Sequence, residues 1–391
     1  MRISPRLLSR LGILATALRQ RLFRRRSRPE SVLRILVAHP TKMLGDTLLL
    51  TPLLAKLREQ HPASEICMLV APPLLSLYRR PPYGVVPLPF DLRDPESFRR
   101  LASRAGFDLA VIPGDNRSAW LALALGSRWI VGFGGDVPAW KNRLLDEQAA
   151  YPGVPGTWAD MVAGLVPGPP PRPYRPADWA PPDSSPFHLP GKPYCVLHPG
   201  AGNPLRMWEP GKWRGLADRL SQLGYAIAFS GGRGEESLVA AADPDGRHLS
   251  FAGRLDLPQM WHLLANAALL VSPDTGVAHL GRIAGTPAIT LFGQGSAVLF
   301  GAGEFWREAP CLPVIADPFP CRDMDTLFKR RIPWVRRCDR TRSQCVEPRC
   351  MQALTVEAVM AVALPLLHGP GQLRETLYSR ASDSQPTGET R

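Results

Sequence analysis

Residues 166–193 carry eleven prolines and little apolar periodicity. Such a stretch forms neither a helix nor a central strand, because proline lacks an amide hydrogen and fixes φ. It divides the 391 residues into two blocks, each alternating strand-length apolar runs with helical patterns. Strands are expected at 32–37, 66–70, 109–112 and 129–133, with a helix from about 47 to 60. Past the prolines they are expected at 194–197, 226–229, 249–251, 269–271 and 288–292, with a helix through Trp213, Leu216, Ala217 and Leu220. This alternation specifies an α/β fold of parallel, doubly wound sheets. Two Rossmann-like domains on a stiff linker then face a central cleft at the carboxyl ends of their strands, where ligands of such folds bind.

Three segments carry chemistry. Leu269-Leu270-Val271 leads into Ser272-Pro273-Asp274-Thr275-Gly276-Val277-Ala278-His279, a strand breaking into a helix whose first turn suits an anion. Asp274 and Thr275 are N-cap residues, Gly276 allows close backbone approach, and free amides point along the positive end of the helix dipole. His279 lies about one turn beyond Thr275, where an imidazole can donate to a phosphate oxygen. The second segment, His198-Pro199-Gly200-Ala201-Gly202-Asn203-Pro204, is a glycine-rich turn after a strand, and Arg206-Met207-Trp208 follows with a cation for a second anion. The third, Lys42-Met43-Leu44-Gly45-Asp46-Thr47, follows the first strand.

In this order, and over roughly residues 32–367, these segments resemble the heptosyltransferase family (glycosyltransferase family 9), the inverting glycosyltransferases that extend the lipopolysaccharide inner core. Members carry Gly-Asp after the first strand, a Pro-Gly-Ala…Lys-x-Trp element opening the second domain, and Asp-Thr-Gly-x-x-His near the donor diphosphate. This chain keeps the first and third, and has Arg206 where lysine is usual, a fork in place of a point charge. The resemblance implies a GT-B fold and transfer of a sugar, heptose from ADP-heptose, to a lipopolysaccharide core or related lipid-linked glycan, with no cofactor required.

The site follows from the same residues. Asp46 is the candidate base; Arg206, Asp274, Thr275, Gly276 and His279 are placed around the donor diphosphate, with Pro199, Gly200, Ala201 and Gly202 as the donor loop. Lys42 and Gly45 are assigned to an acceptor or a phosphate. Glu235 and Glu236, after the next strand, can accept ribose hydroxyls, and the sequence does not rank them. An aspartate at a helix start is expected to ionise readily and be a weak base, which leaves catalysis to leaving-group stabilisation. Two other readings stay open: a nucleotide-sugar epimerase or other GT-B enzyme, and a noncatalytic nucleotide-sugar-binding scaffold of envelope assembly.

The net charge of +13 is concentrated in residues 1–30, with nine arginines and one acid, and in 321–350, with nine basic and four acidic residues. Neither segment shows a helix-turn-helix, zinc-finger or RNP pattern, so no nucleic-acid partner is expected. An anionic membrane surface or a phosphorylated glycolipid accounts for the same charge. Leu7, Leu11, Leu14, Leu18 and Leu22 fall on one helical stripe among the arginines, a basic amphipathic arm suited to a membrane interface. Ala15-Thr16-Ala17 imitates a signal-peptide cleavage site, but Arg10 interrupts the apolar stretch before it. No apolar run is long enough to span a bilayer. The expected location is cytoplasmic, peripheral on the inner face of the bacterial inner membrane. Cys321, Cys338, Cys345 and Cys350 lie within 30 residues without paired C-x-x-C spacing, so metal, disulfide and unpaired thiols all stay open.

The expected organisation is a basic arm (1–30), an acceptor-side domain (31–165), the linker (166–193), a nucleotide-sugar domain (194–354), a last helix crossing the hinge (355–368) and a disordered tail (369–391).

Overall fold

The structure, a computed structural model, describes residues 4–24, 26–191 and 193–368; the expected tail at 369–391 lies outside the described residues. The first sheet holds β1 (Arg34–Val37), β2 (Glu65–Val70), β3 (Val86–Pro89), β4 (Leu109–Ile112), β5 (Trp129–Phe133) and β6 (Glu147–Ala149) in the order β3-β2-β1-β4-β5-β6. The second holds β7 (Tyr194–Leu197), β8 (Ala226–Phe229), β9 (Leu249–Ser250), β10 (Leu269–Pro273), β11 (Ala288–Phe292) and β12 (Cys311–Ile315) in the order β12-β11-β10-β7-β8-β9. Every pairing in both sheets is parallel. Central strands such as β7 and β10 are buried along their whole length, because helices cover both faces of a parallel sheet. Two Rossmann-like sheets are therefore present, as the alternation requires.

Strand order reverses beside β1 in the first sheet and beside β7 in the second. At such a switch point neighbouring loops diverge and open a crevice. The loops after β1, β4, β7 and β10 are the ones that border it.

The three strands that the apolar pattern does not reveal, β3, β6 and β12, all lie at sheet edges. Val86-Pro87-Leu88-Pro89 and Cys311-Leu312-Pro313 contain proline and Glu147-Gln148-Ala149 is polar; an edge strand tolerates both because one side carries no ladder. The helix expected at 47–60 is two, Leu44–Leu48 and Thr51–Gln60. Pro52, in the first turn of the second, has no amide to continue the first.

The proline-rich linker is a packed strap. Trp179 is fully buried between Tyr78 of the first domain and Trp261 of the second, with ring centroids 5.1 and 5.5 Å away. The Tyr174 hydroxyl donates to the Ile283 carbonyl at 2.8 Å. The last helix, Val356–His368, does not cross the hinge as expected: Val359, Ala363 and Leu366 bury it on helix Pro210–Gln222 and on β10 to β12. Its apolar stripe is used up closing its own sheet. The hinge is bridged instead by helix Trp158–Ala163, whose Asp160 carboxylate accepts from the amides of Glu304 (2.9 Å) and Phe305 (3.2 Å).

The basic segment 321–350 also differs from expectation, since much of its charge is consumed internally. Arg322 donates to the Gly293 carbonyl at 2.9 Å, Arg340 forks onto Asp323 (2.6 and 2.7 Å), and Arg331 meets Asp325 (2.6 Å). Arg330 is buried in the first domain, donating to the carbonyls of Gly134 (2.9 Å) and Phe133 (3.0 Å). It sits on a hairpin pairing Thr326–Leu327 with Arg330–Arg331, so the second domain clasps the first.

Helix Pro5–Phe23 starts at Ser4, whose side chain caps Leu7, and buries Ser9, Ile13 and Ala17 on helices Ser118–Ala124 and Pro95–Ala102. Leu7, Leu11, Leu14, Leu18 and Leu22 remain exposed. The arm is thus a fixed wall of the first domain, with Leu7, Leu11, Leu18 and Leu22 turned outward.

Candidate functional site

The loop after β1 and the loop after β10 meet face to face. Gly45, in helix Leu44–Leu48, lies against Gly276, the first residue of helix Gly276–Ala284. A Cβ on Gly276 would stand 2.8 Å from Leu44 Cβ, and one on Gly45 would stand 3.0 Å from His279 Cδ2. Only glycine at both positions lets the two helix starts touch.

Asp46, next to Gly45, is within the short helix and caps nothing; the N-cap is Met43. It is partly buried and lines a cavity of about 850 Å3 in the first domain. Burial pushes its pKa up to about 6, Arg206 pulling it down and Asp274 raising it further. The expectation of a readily ionised, weak base is therefore corrected, because desolvation outweighs the helix start. A carboxylate with a pKa near 6 is a better base at neutral pH and is still ionised.

Across the cleft, Arg206 Nη1 donates to the Asp274 carbonyl at 2.9 Å and lies 3.7 Å from its carboxylate. Asp274 is buried, its carboxyl raised by desolvation and lowered by Arg206 and Arg282. Its carboxylate lies where a Cβ on Gly295 would be, so it holds Arg206 from within the domain. Thr275 is the N-cap of Gly276–Ala284, yet its side chain makes no cap bond. Thr275 Oγ1, His279 Nδ1 and Arg206 Nε are all buried without a hydrogen-bond partner. Buried polar atoms are normally satisfied; three orphans around one helix start, where the first amides also lack intrahelical acceptors, form a cradle for an oxygen-rich anion. His279 is fully desolvated, which with Arg282 and Arg206 holds it well below its ordinary pKa. It enters as a neutral donor.

The glycine-rich turn after β7 leads to Arg206 of this cradle. Pro199, Gly200 and Ala201 are buried and Gly202 is exposed. The structure separates the two glutamates. Glu235 accepts from the Gly232 amide at 2.6 Å and occupies the space a Gly200 Cβ would take, so it packs against the glycine-rich turn. Glu236 lies against Gly253. His198 donates or accepts at Ser230 Oγ (3.0 Å) and is held neutral by burial, its pKa lowered to about 4. Lys42 pairs with Asp91 at 2.6 Å on the wall of the Asp46 cavity.

Several cavity residues were not singled out by the sequence. His39, Arg93, Arg117, Trp120, Trp140 and Phe328 line it beside Asp46. They come from the segments after β1, β3, β4 and β5 and from the hairpin of the second domain, separations that no local pattern encodes. His39 packs 5.7 Å from Trp158 and 6.2 Å from Phe328, and burial lowers its pKa to about 4.

Cys321, Cys338, Cys345 and Cys350 line a second cavity of about 690 Å3, and all four are free thiols. Among the described residues, no three His, Cys, Asp or Glu side chains gather closely enough to hold a metal ion.

The family model for glycosyltransferase family 9 (heptosyltransferase) matches residues 97–329. The chain is 28% identical over 194 residues to lipopolysaccharide heptosyltransferase 1 of Pseudomonas aeruginosa, covering 47% of this chain and 51% of that one. It is 26% identical over 135 residues to lipopolysaccharide heptosyltransferase 3 of Escherichia coli, covering 31% and 39%. The matches thus span about half or less of these curated relatives. In structure, the glycosyl transferase family 9 protein of Veillonella parvula superposes with a TM-score of 0.62 at 16% identity, over 86% of this chain and 97% of that one. ADP-heptose lps heptosyltransferase II of E. coli superposes with a TM-score of 0.61 at 17% identity, over 86% and 98%. At these identities the likeness speaks to the fold, and it bears out the GT-B arrangement of two facing sheets.

Proposed function

We propose, from the premise that this chain belongs to glycosyltransferase family 9 (heptosyltransferase), that it is an inverting glycosyltransferase moving heptose from ADP-heptose to a lipopolysaccharide core or related lipid-linked glycan. The observation that carries this reading is the contact between two half-sites: the partly buried Asp46 on one domain and the orphaned cradle of Arg206, Thr275 and His279 on the other. A binding scaffold has no need to bring a carboxylate of raised pKa to a diphosphate cradle.

In this reaction Asp46 takes the acceptor hydroxyl proton as that oxygen bonds to the anomeric carbon. The bond from that carbon to the diphosphate oxygen breaks on the opposite face, and its electron pair leaves with ADP. Arg206 and the amides opening helix Gly276–Ala284 carry the charge that develops there, and His279 donates as a neutral imidazole. Asp274 positions Arg206. Glu235 is the better placed of the two glutamates for the ribose, since it packs against Gly200 of the donor loop. In this scheme protein groups meet the diphosphate charge, and neither a metal nor an organic cofactor is called for.

The reading extends to location. The outward leucines of helix Pro5–Phe23, flanked by arginines, support peripheral attachment to an anionic bilayer on the cytoplasmic face of the inner membrane. No helix among the described residues is long and apolar enough to cross a membrane.

The test is mass spectrometry of lipopolysaccharide from a deletion strain, with transfer from ADP-heptose to that truncated glycolipid by the purified protein. Loss of one heptose in the strain and its return in vitro are expected. An unchanged lipopolysaccharide and an inert acceptor would reject the reading.

A further inference from the structure

The amino-terminal helix faces two ways. Leu7, Leu11, Leu18 and Leu22 point outward, while Arg6 and Arg10, four residues apart and so on one face, line with Leu14 the same 850 Å3 cavity as Asp46. The charge balance of that cavity is uneven. Lys42 is held by Asp91 at 2.6 Å, and Arg117 by Asp115 at 2.9 Å with Lys141 sharing the same carboxylate at 3.1 Å. Arg93 gives its backbone amide to Asp91 at 3.0 Å and keeps its guanidinium unpaired. Among the described residues, Arg6, Arg10 and Arg93 meet no carboxylate within ion-pair distance, and the only acid of the cavity without a cationic partner at that range is Asp46.

Unpaired arginines gathered at one cavity are matched by an anion that comes with the ligand, since the guanidinium fork binds a phosphate or carboxylate with two parallel hydrogen bonds. We propose that the amino-terminal helix forms part of the acceptor site, with Arg6 and Arg10, together with Arg93, binding an anionic substituent of the glycan while the leucine stripe on the same helix rests in the lipid surface from which that glycan projects. The assignment rests on the acceptor reading above and gives Arg6 and Arg10 a specificity role in it. It makes membrane attachment and acceptor capture properties of one rigid element: Ile13 and Ala17 fix the helix to the domain, so the height of the bilayer relative to Asp46 is set by the fold.

The test is a direct binding measurement on the full chain, so that it does not depend on turnover. The probe is delipidated lipopolysaccharide core oligosaccharide, in its native phosphorylated form, after dephosphorylation, and after dephosphorylation with reduction of its carboxylates, titrated by calorimetry into wild type, Arg6→Gln/Arg10→Gln and Arg19→Gln/Arg21→Gln. The last pair sits on the same helix and is not part of the cavity lining. The double change at Arg6 and Arg10 is expected to weaken the native probe about tenfold or more, the size of a lost charged hydrogen bond. Wild type should lose a comparable factor when the responsible anion is removed from the probe. Dephosphorylation alone identifies phosphate as that anion, and a loss only on carboxylate reduction identifies carboxylate. The Arg19/Arg21 variant should bind as wild type does. Equal binding by the Arg6/Arg10 variant, or an equal loss on the charged and the fully neutralised probe, would overturn the proposal. Arginine-dependent binding without any heptose transfer would reject the catalytic reading and leave the anion site standing.

Discussion

Gly45 and Gly276 meet across the interdomain cleft, with the position of a Gly45 Cβ only 3.6 Å from Gly276 Cα. This contact places Asp46 and the orphaned polar atoms of Arg206, Thr275 and His279 on opposite sides of one seam.

Gly276→Ala tests the seam. Within a helix alanine is favoured over glycine by roughly 1 kcal/mol, but its methyl would sit 2.8 Å from Leu44 Cβ. Relief comes from parting the domains, so the variant should bind ADP close to wild type in calorimetry while kcat falls tenfold or more. Wild-type kcat would show that the close approach is not needed for turnover.

Asp46 makes two linked predictions. With its pKa near 6, kcat should climb as pH rises through about 6 and level off above it, and Asp46→Asn should lower kcat by roughly 10²–10⁴-fold. The native state holds a proton that the unfolded chain, with a carboxyl near 3.8, has released. Stability is therefore lost as pH rises from about 4 to 6, and above that window the full cost of the buried charge is present. Asp46→Asn removes that cost and should be more stable than wild type at pH 7 by about 1–3 kcal/mol. Denaturant melts at pH 4 and pH 7 check this: the gain should vanish at the lower pH.

Arg206 and His279 should differ in weight. Arg206→Ala is expected to weaken ADP binding by about 1.5–3 kcal/mol, the range for a charged hydrogen bond, and His279→Ala by about 0.5–1.5 kcal/mol because its imidazole is neutral. Arg206→Lys should recover part of the loss, since it restores charge without the fork. Titration calorimetry with ADP reads all three, and wild-type affinity in the alanine variants would remove the cradle.

Removing the amino-terminal helix would be a poor test of membrane attachment, because Ile13, Ala17 and the ion pair from Arg24 to buried Asp146 would go with it. Replacing Leu7, Leu11, Leu18 and Leu22 by Gln strips only exposed side chains. The variant should keep the wild-type melting temperature and lose co-sedimentation with phosphatidylglycerol vesicles, each leucine removing about 1–2 kcal/mol of lipid burial. Undiminished co-sedimentation would take the leucine stripe out of the attachment.

The two parallel sheets, the central strands and the three segments that carry Asp46, Arg206 and His279 are legible in the amino-acid sequence alone. Those features are local: a buried parallel strand must be continuously apolar, and a helix start that receives an anion needs small and capping residues in order. Edge strands escaped the pattern because pairing on one side permits proline and polar residues. Tertiary structure decided the rest. The pKa of Asp46 depends on what covers it, not on its place in a helix, and only packing shows that Glu235 lies against Gly200 while Glu236 lies against Gly253. The hinge is closed by Asp160 and Trp179 while the last helix serves its own sheet. The arginines of the first helix reach the Asp46 cavity because Ile13 and Ala17 dock that helix on the first domain, a contact between segments some hundred residues apart that no local spacing can encode.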